Sequence, residues 1–172
     1  MVPKDILALF VFVIPQIYAG DEDDITSCLE LFKPEEIEQN CCEPMKMLHK
    51  EDFESCKTAD GEWECENAKC LLGKAGILSG DSLDEKKTTE MLDKTKEKHP
   101  DTNAMADRVK SECLGGKYED YPPKESCPLI RFQICSYLNA LVECDKWKDS
   151  DQCKKLSSHA KTCKSVLDNL KE

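Results

Sequence analysis

Twelve cysteines are the residues in this 172-residue chain most able to do chemistry: Cys28, Cys41, Cys42, Cys56, Cys65, Cys70, Cys113, Cys127, Cys135, Cys144, Cys153 and Cys163. Thiols at that density either ligate metal or pair as disulfides. A zinc centre draws on ligands two to four residues apart, usually with histidine close by. No Cys-x-x-Cys occurs, Cys65 and Cys70 form the only pair at comparable spacing, and His49, His99 and His159 are far apart. The spacing therefore predicts six disulfides, no metal and no cofactor.

Other reactive groups lack the neighbours that catalysis requires. Ser158 and His159 are adjacent, and adjacent residues on a helix point apart, so they form no relay. The chain contains no Gly-x-Ser-x-Gly, no His-Glu-x-x-His and no phosphate loop. Cys42 precedes no His-Asp of the kind found in secreted phospholipases. The acidic runs Asp21 to Asp24 and Asp81 to Glu85 read as solvated surface and helix N-termini. The expectation is a protein that is not an enzyme.

Composition narrows the class. Lys and Arg number 24 against 35 Asp and Glu, a net charge of −11. Such a surface repels a phosphate backbone, which excludes nucleic acid as a partner. The length suits one domain, and 6% aromatics against 34% charged residues leaves few large side chains for a core. The first twenty residues differ in kind: Lys4, an unbroken apolar run from Ile6 to Ile14, then Pro15 and Ile17-Tyr18-Ala19. Nine apolar residues are too short to span a bilayer, which takes about twenty. The pattern predicts a signal peptide over residues 1–19, cleaved after Ala19. Residues 20–172 then form one secreted, extracellular domain with no membrane insertion, and an oxidising compartment suits all twelve cysteines.

The elements that must position those cysteines read as helices. Cys153, Leu156, Ala160, Cys163, Leu167 and Leu170 step by three and four along one stripe, with Lys154, Lys155, Ser157 and Lys164 away from it. Pro34 and Pro44 suit the first turns of two short helices, the second running through Leu48 to Cys56. A third spans Trp63 to Leu72 and ends before Gly73 and Gly76. Ser82 to Glu85 has the form of a capping box opening a helix that stops before Pro100. Met105, Val109 and Cys113 share a face of the next helix, which Gly115-Gly116 terminates. An irregular loop follows to Lys124, and Pro128 starts the most apolar helix, with Ile130, Ile134, Cys135, Leu138, Leu141 and Cys144. No alternating strand pattern of any length is present. The fold class is all-α: about seven helices, stapled by disulfides.

The framework Cys41-Cys42-Glu43-Pro44, Cys65, Cys70-Leu71-Leu72, a gap of 42 residues to Cys113, and even spacing through Cys135, Cys144 and Cys153 to Cys163 resembles the insect odorant-binding proteins. More narrowly it is similar to their twelve-cysteine Plus-C branch. The likeness runs from about Cys28 to Cys163, and Leu71 to Gly80 followed by Leu83-Asp84 agrees with it. Two features depart from the pattern: four residues separate Cys65 from Cys70 where the family usually has three, and Lys154 replaces the proline expected after Cys153. The resemblance implies an interlocked core pairing Cys42 with Cys70, Cys65 with Cys144 and Cys113 with Cys153. Cys28, Cys41, Cys56, Cys127, Cys135 and Cys163 would form the additional bridges.

It also implies a function: a carrier that binds small hydrophobic molecules (odorants, pheromones or other semiochemicals) in an apolar cavity and transports them through aqueous lymph in olfaction. The lining would come from Leu71, Leu72, Ile77, Met91, Met105, Val109, Phe132, Leu138, Leu141 and Val142, with a hydroxyl from Tyr118, Tyr121 or Tyr137 orienting the ligand. A chemosensory receptor would be the partner, and the carrier a monomer or homodimer. Protonation of its histidines near pH 5–6 is a route to ligand release. The alternative is a secreted venom, salivary or reproductive-fluid protein that acts through its acidic surface, because fold does not fix function.

Overall fold

The computed structural model describes residues 26–28, 31, 41–42, 55–56 and 64–170. The leader over residues 1–19 and the helices expected from Pro34 and Pro44 lie outside them. Five α-helices lie wholly within the described residues: α1 (Cys65–Lys74), α2 (Glu85–Lys98), α3 (Asn103–Cys113), α4 (Pro128–Val142) and α5 (Asp151–Asn169). A two-residue antiparallel ribbon, β1 (Leu78–Ser79) with β2 (Ser82–Leu83), joins α1 to α2. Single 3-10 turns at Pro100–Thr102 and Lys117–Asp120 complete the described elements, the latter within the loop expected to be irregular.

Helix α4 is the hub. It opens on Pro128, whose missing N–H costs nothing in a first turn. Leu129, Ile130, Phe132, Ile134, Cys135, Leu138, Asn139, Ala140 and Leu141 are all buried on it, so its apolar surface wraps nearly all the way round. Such a helix is stable only when other elements cover it, and α1, α3, α5 and the Lys117–Asp120 turn all pack against it. Its pairing with α3 is the most extensive: Met105, Ala106, Val109 and Cys113 form the buried face of α3, and Cys113 is bonded to Cys135. Gly115 and Gly116, at φ +71° and +78°, end α3 in the left-handed conformation that glycine adopts without strain.

The disulfides differ from the pairing that the resemblance implies. None of Cys42–Cys70, Cys65–Cys144 and Cys113–Cys153 forms. The bonds are Cys28–Cys163, Cys41–Cys153, Cys42–Cys144, Cys56–Cys70, Cys65–Cys127 and Cys113–Cys135. The reason is geometric. The three N-terminal cysteines meet the C-terminal ones in reverse order, as two segments running antiparallel require. Residues 41–42 lie beside 147–148, with a bridge between Cys42 and Trp147 and the Lys148 N–H donating to the Cys41 carbonyl at 2.8 Å. Cys113 has no freedom to reach α5, because α3 ends directly over Cys135.

Three local expectations are also corrected. Helix α1 starts two residues after Trp63 and runs through Gly73 to Lys74, and the turn comes at Gly76 (φ +72°). Ser82 is not a cap: it sits in β2, and Asp84 caps α2 instead, its carboxylate accepting from the Lys87 N–H at 3.0 Å. That bond to the charged form lowers the Asp84 pKa. Glu85, freed from the box, reaches across to accept from the N–H groups of Gly115 and Gly116 at 3.0 and 2.9 Å. Lys164 lies on the buried side of α5, only 8% exposed, its ammonium paired with Asp168 one turn on. The stripe itself holds: Cys153, Leu156, Ala160, Cys163 and Leu167 are buried.

Three outcomes are expected. Glu85→Ala removes the hydrogen bonds tying α2 to the Gly115-Gly116 turn and costs about 1–2 kcal/mol, a fall in Tm of roughly 2–8 °C. Ser82→Ala leaves thermal unfolding unchanged; the reverse ranking would restore the capping box. Peptide mapping of the oxidised chain without reduction recovers Cys113 joined to Cys135 and Cys56 to Cys70, and a Cys42–Cys70 peptide would overturn this connectivity.

Candidate functional site

The turn after α1 and one face along the length of α2 together build a cleft. Gly76 N–H donates to the Gly73 carbonyl and Ile77 N–H to the Leu72 carbonyl, closing α1 and burying Ile77. The ribbon then reverses the chain, and the Asp84 N–H returns to the Ile77 carbonyl at 2.9 Å. Lys69 clasps Asp81 at 2.7 Å, which raises the lysine's pKa. Lys87 donates to the Leu78 carbonyl at 2.7 Å, fastening α2 to the ribbon. Between Ala75-Gly76 and the face of α2 carrying Lys87, Glu90, Met91, Lys94, Thr95 and Lys98 lies a shallow, broadly open cleft of about 340 Å³. Its size is at the lower end of small-molecule sites, roughly 300–1,000 Å³.

Of the ten residues expected to line a cavity, only Met91 reaches this cleft. Leu71, Leu72, Ile77, Met105, Val109, Phe132, Leu138 and Leu141 are buried. All of these but Leu71 belong to one contiguous core, with the half-buried Met91 and Val142 packed against it. Helical periodicity identifies inward faces correctly, but an inward face packed by a neighbouring helix gives the same signal as one lining a void. The cleft residues Lys87, Glu90, Lys94, Thr95 and Lys98 are absent from that expectation. They recur every three or four residues along α2, but four of the five are charged and none is apolar, so apolar periodicity does not mark them.

Of the three tyrosines expected to orient a ligand, Tyr118 and Tyr121 belong to the core instead, and the half-buried Tyr137 packs against it. Tyr118 meets Phe132 edge to face, with ring centroids 5.7 Å apart. Tyr121 is fully buried, and its hydroxyl accepts from the Asn139 amide at 3.4 Å. The same amide donates to the Cys135 carbonyl at 2.9 Å. The Asn139 carbonyl oxygen accepts from Arg108 Nε at 3.4 Å, and Arg108 is paired with Glu143 at 3.3 Å. Burial pushes both phenol pKa values up, with Glu119 adding to the effect on Tyr118 and Asp168 to that on Tyr121.

His159 is half-buried: its Nε2 lies 3.4 Å from Ser27 Oγ, and the ring stands beside Cys28 and Cys163. Two sulfurs and an imidazole nitrogen are the donor set of a soft metal site, but the sulfurs are bonded to each other and offer no thiolate. His99 is exposed at the C-cap of α2, and His49 lies outside the described residues. Among the described residues no helix is long and apolar enough to cross a membrane. No family model, no curated protein and no solved structure matches this chain.

The raised phenols give a pH test. Each carries stability that is whole below the unfolded tyrosine value of about 10 and is lost as pH climbs through the higher folded value. Ultraviolet titration of the oxidised protein is expected to leave Tyr118 and Tyr121 un-ionised where an ordinary phenol has titrated, their signals arriving together with unfolding. Ionisation of every tyrosine near pH 10 in the native state would contradict the packing.

Proposed function

We propose that this chain is a secreted carrier that holds a small hydrophobic molecule and moves it through an aqueous extracellular fluid. The observation that carries the reading is a helical body closed by six disulfides with a cleft of about 340 Å³ on its flank, to which Met91 and Ala75 contribute apolar surface. Each bridge can contribute roughly 2–4 kcal/mol by restricting the unfolded chain, so the fold tolerates helix surface that no protein covers. The signal-peptide pattern and the pairing of every cysteine support an oxidising, extracellular setting. The cysteine spacing supports the narrower setting, an odorant-binding protein of the Plus-C kind that delivers odorants or pheromones to a chemosensory receptor. No covalent step is involved; affinity comes from apolar area removed from water, at about 25 cal/mol per Å².

A second reading has one observation in its favour: eight of the ten residues expected around a cavity are buried, seven of them within the contiguous core. A solid body of net charge −11 suits a venom, salivary or reproductive-fluid protein that meets its partners through an acidic surface. Titration of an apolar fluorescent probe into the oxidised chain, residues 20–172, separates the two. The carrier reading expects stoichiometric, low-micromolar binding reversed by mid-chain competitors, and about tenfold weaker binding in Met91→Asp. A folded, fully bridged protein that ignores the probe would leave the surface reading in its place.

A further inference from the structure

We infer that the cleft on α2 selects amphiphiles with an anionic head, of which a medium-chain carboxylate such as decanoate is the representative; the inference rests on the carrier reading. Its wall carries Lys87, Lys94 and Lys98 against one carboxylate, Glu90, on a chain whose net charge is −11. A local excess of cations on such a background marks a place where anions are concentrated. The three lysines are not equivalent. Lys87 is committed to the Leu78 carbonyl and lies 3.6 Å from Asp84. On the opposite side of α2, Lys96 is paired with Asp107, and Asp93 with Lys110 of α3. Lys94 and Lys98 are exposed, and neither makes an ion pair or a hydrogen bond among the described residues.

The apolar component lies beside them. Met91 stands one turn before Lys94 and Thr95 on α2, and Ala75 faces it across the cleft. The Thr95 hydroxyl is spent on the Met91 carbonyl at 2.9 Å, so it does not compete for a ligand's head. Gly76 contributes no side chain, and a Cβ there would meet nothing within 4 Å, which leaves that wall open for an alkyl chain to enter. Residues four apart on a helix are neighbours, about 6 Å between Cβ atoms, so Lys94 and Lys98 can share one carboxylate while the chain lies over Met91. The methionine thioether adapts to different chain lengths.

The test compares decanoate with decan-1-ol, which has the same number of carbons and no charge, by displacement of the fluorescent probe from the oxidised chain at pH 7. The expected result is decanoate about fivefold or more tighter than decanol, with the preference shrinking at high salt. K94Q/K98Q removes that preference by lowering decanoate affinity toward that of decanol. K155Q/K161Q, which changes two exposed lysines of α5, leaves both affinities unchanged. Circular dichroism and Tm establish that each variant is folded. Equal affinity for acid and alcohol, an undisturbed preference in K94Q/K98Q, or equal losses in K155Q/K161Q would overturn the anionic selectivity while the carrier reading stands. Failure of both ligands to bind folded protein would remove the carrier reading and the inference with it.

Discussion

The fold turns on the burial of α4. A helix with apolar residues on nearly every side cannot face water, so its neighbours are determined by the need to cover it: α3 along one side, α1 and α5 on others, and the Lys117–Asp120 turn over its N-terminal half. Asn139 is the buried polar residue on this helix, and it is satisfied on three counts, by Tyr121, Arg108 and the Cys135 carbonyl. A buried amide with all its partners in place rules out rotations of α4 that apolar packing alone would tolerate. The Cys113–Cys135 bond then holds the α3 seam in the same register.

Features set by local chemistry were legible in the chain, and those set by distant partners were not. Pro128 at the start of α4, Gly115-Gly116 at the end of α3, and the three-and-four spacing of Cys153 through Leu167 each announce themselves within a few residues, and each is found. Ser82 shows the limit of that approach. Its spacing to Glu85 satisfies the capping pattern, but Asp84 is as good a cap two residues later, and Glu85 has better partners thirty residues away in the Gly115 and Gly116 N–H groups. Nothing near Glu85 in sequence records them. Disulfide connectivity fails for the same reason: twelve cysteines fit many pairings, and which sulfurs meet depends on how the helices cross and how the segments between them run.

The candidate site was the least legible part. Apolar periodicity points to the inside of a protein, and among the described residues those positions form a contiguous core, with Met91 packed at its margin. The cleft is instead assembled by the Ala75-Gly76 turn and the outer stripe of α2, where Met91 stands among Lys87, Glu90, Lys94, Thr95 and Lys98. A single methionine among polar and charged residues reads as ordinary helix surface until the preceding turn is seen to stand opposite it.

The nesting of the terminal bridges bears on how the molecule is made. Cys28, Cys41 and Cys42 are among the first cysteines synthesised, and their partners Cys163, Cys153 and Cys144 follow 135, 112 and 102 residues later. At an elongation rate of about 5–20 residues per second, the first thiols wait on the order of ten seconds before their own partners exist. Both cysteines of Cys56–Cys70, Cys65–Cys127 and Cys113–Cys135 exist within that interval. Vectorial synthesis therefore makes the partners of the middle bridges available first, while Cys28, Cys41 and Cys42 still lack theirs. Their correct partners lie on or beside the last helix to emerge, so the native set is completed only after nearly the whole chain is available. A folding-assistance enzyme that shields or reshuffles early thiols would act on this protein chiefly through Cys28, Cys41 and Cys42.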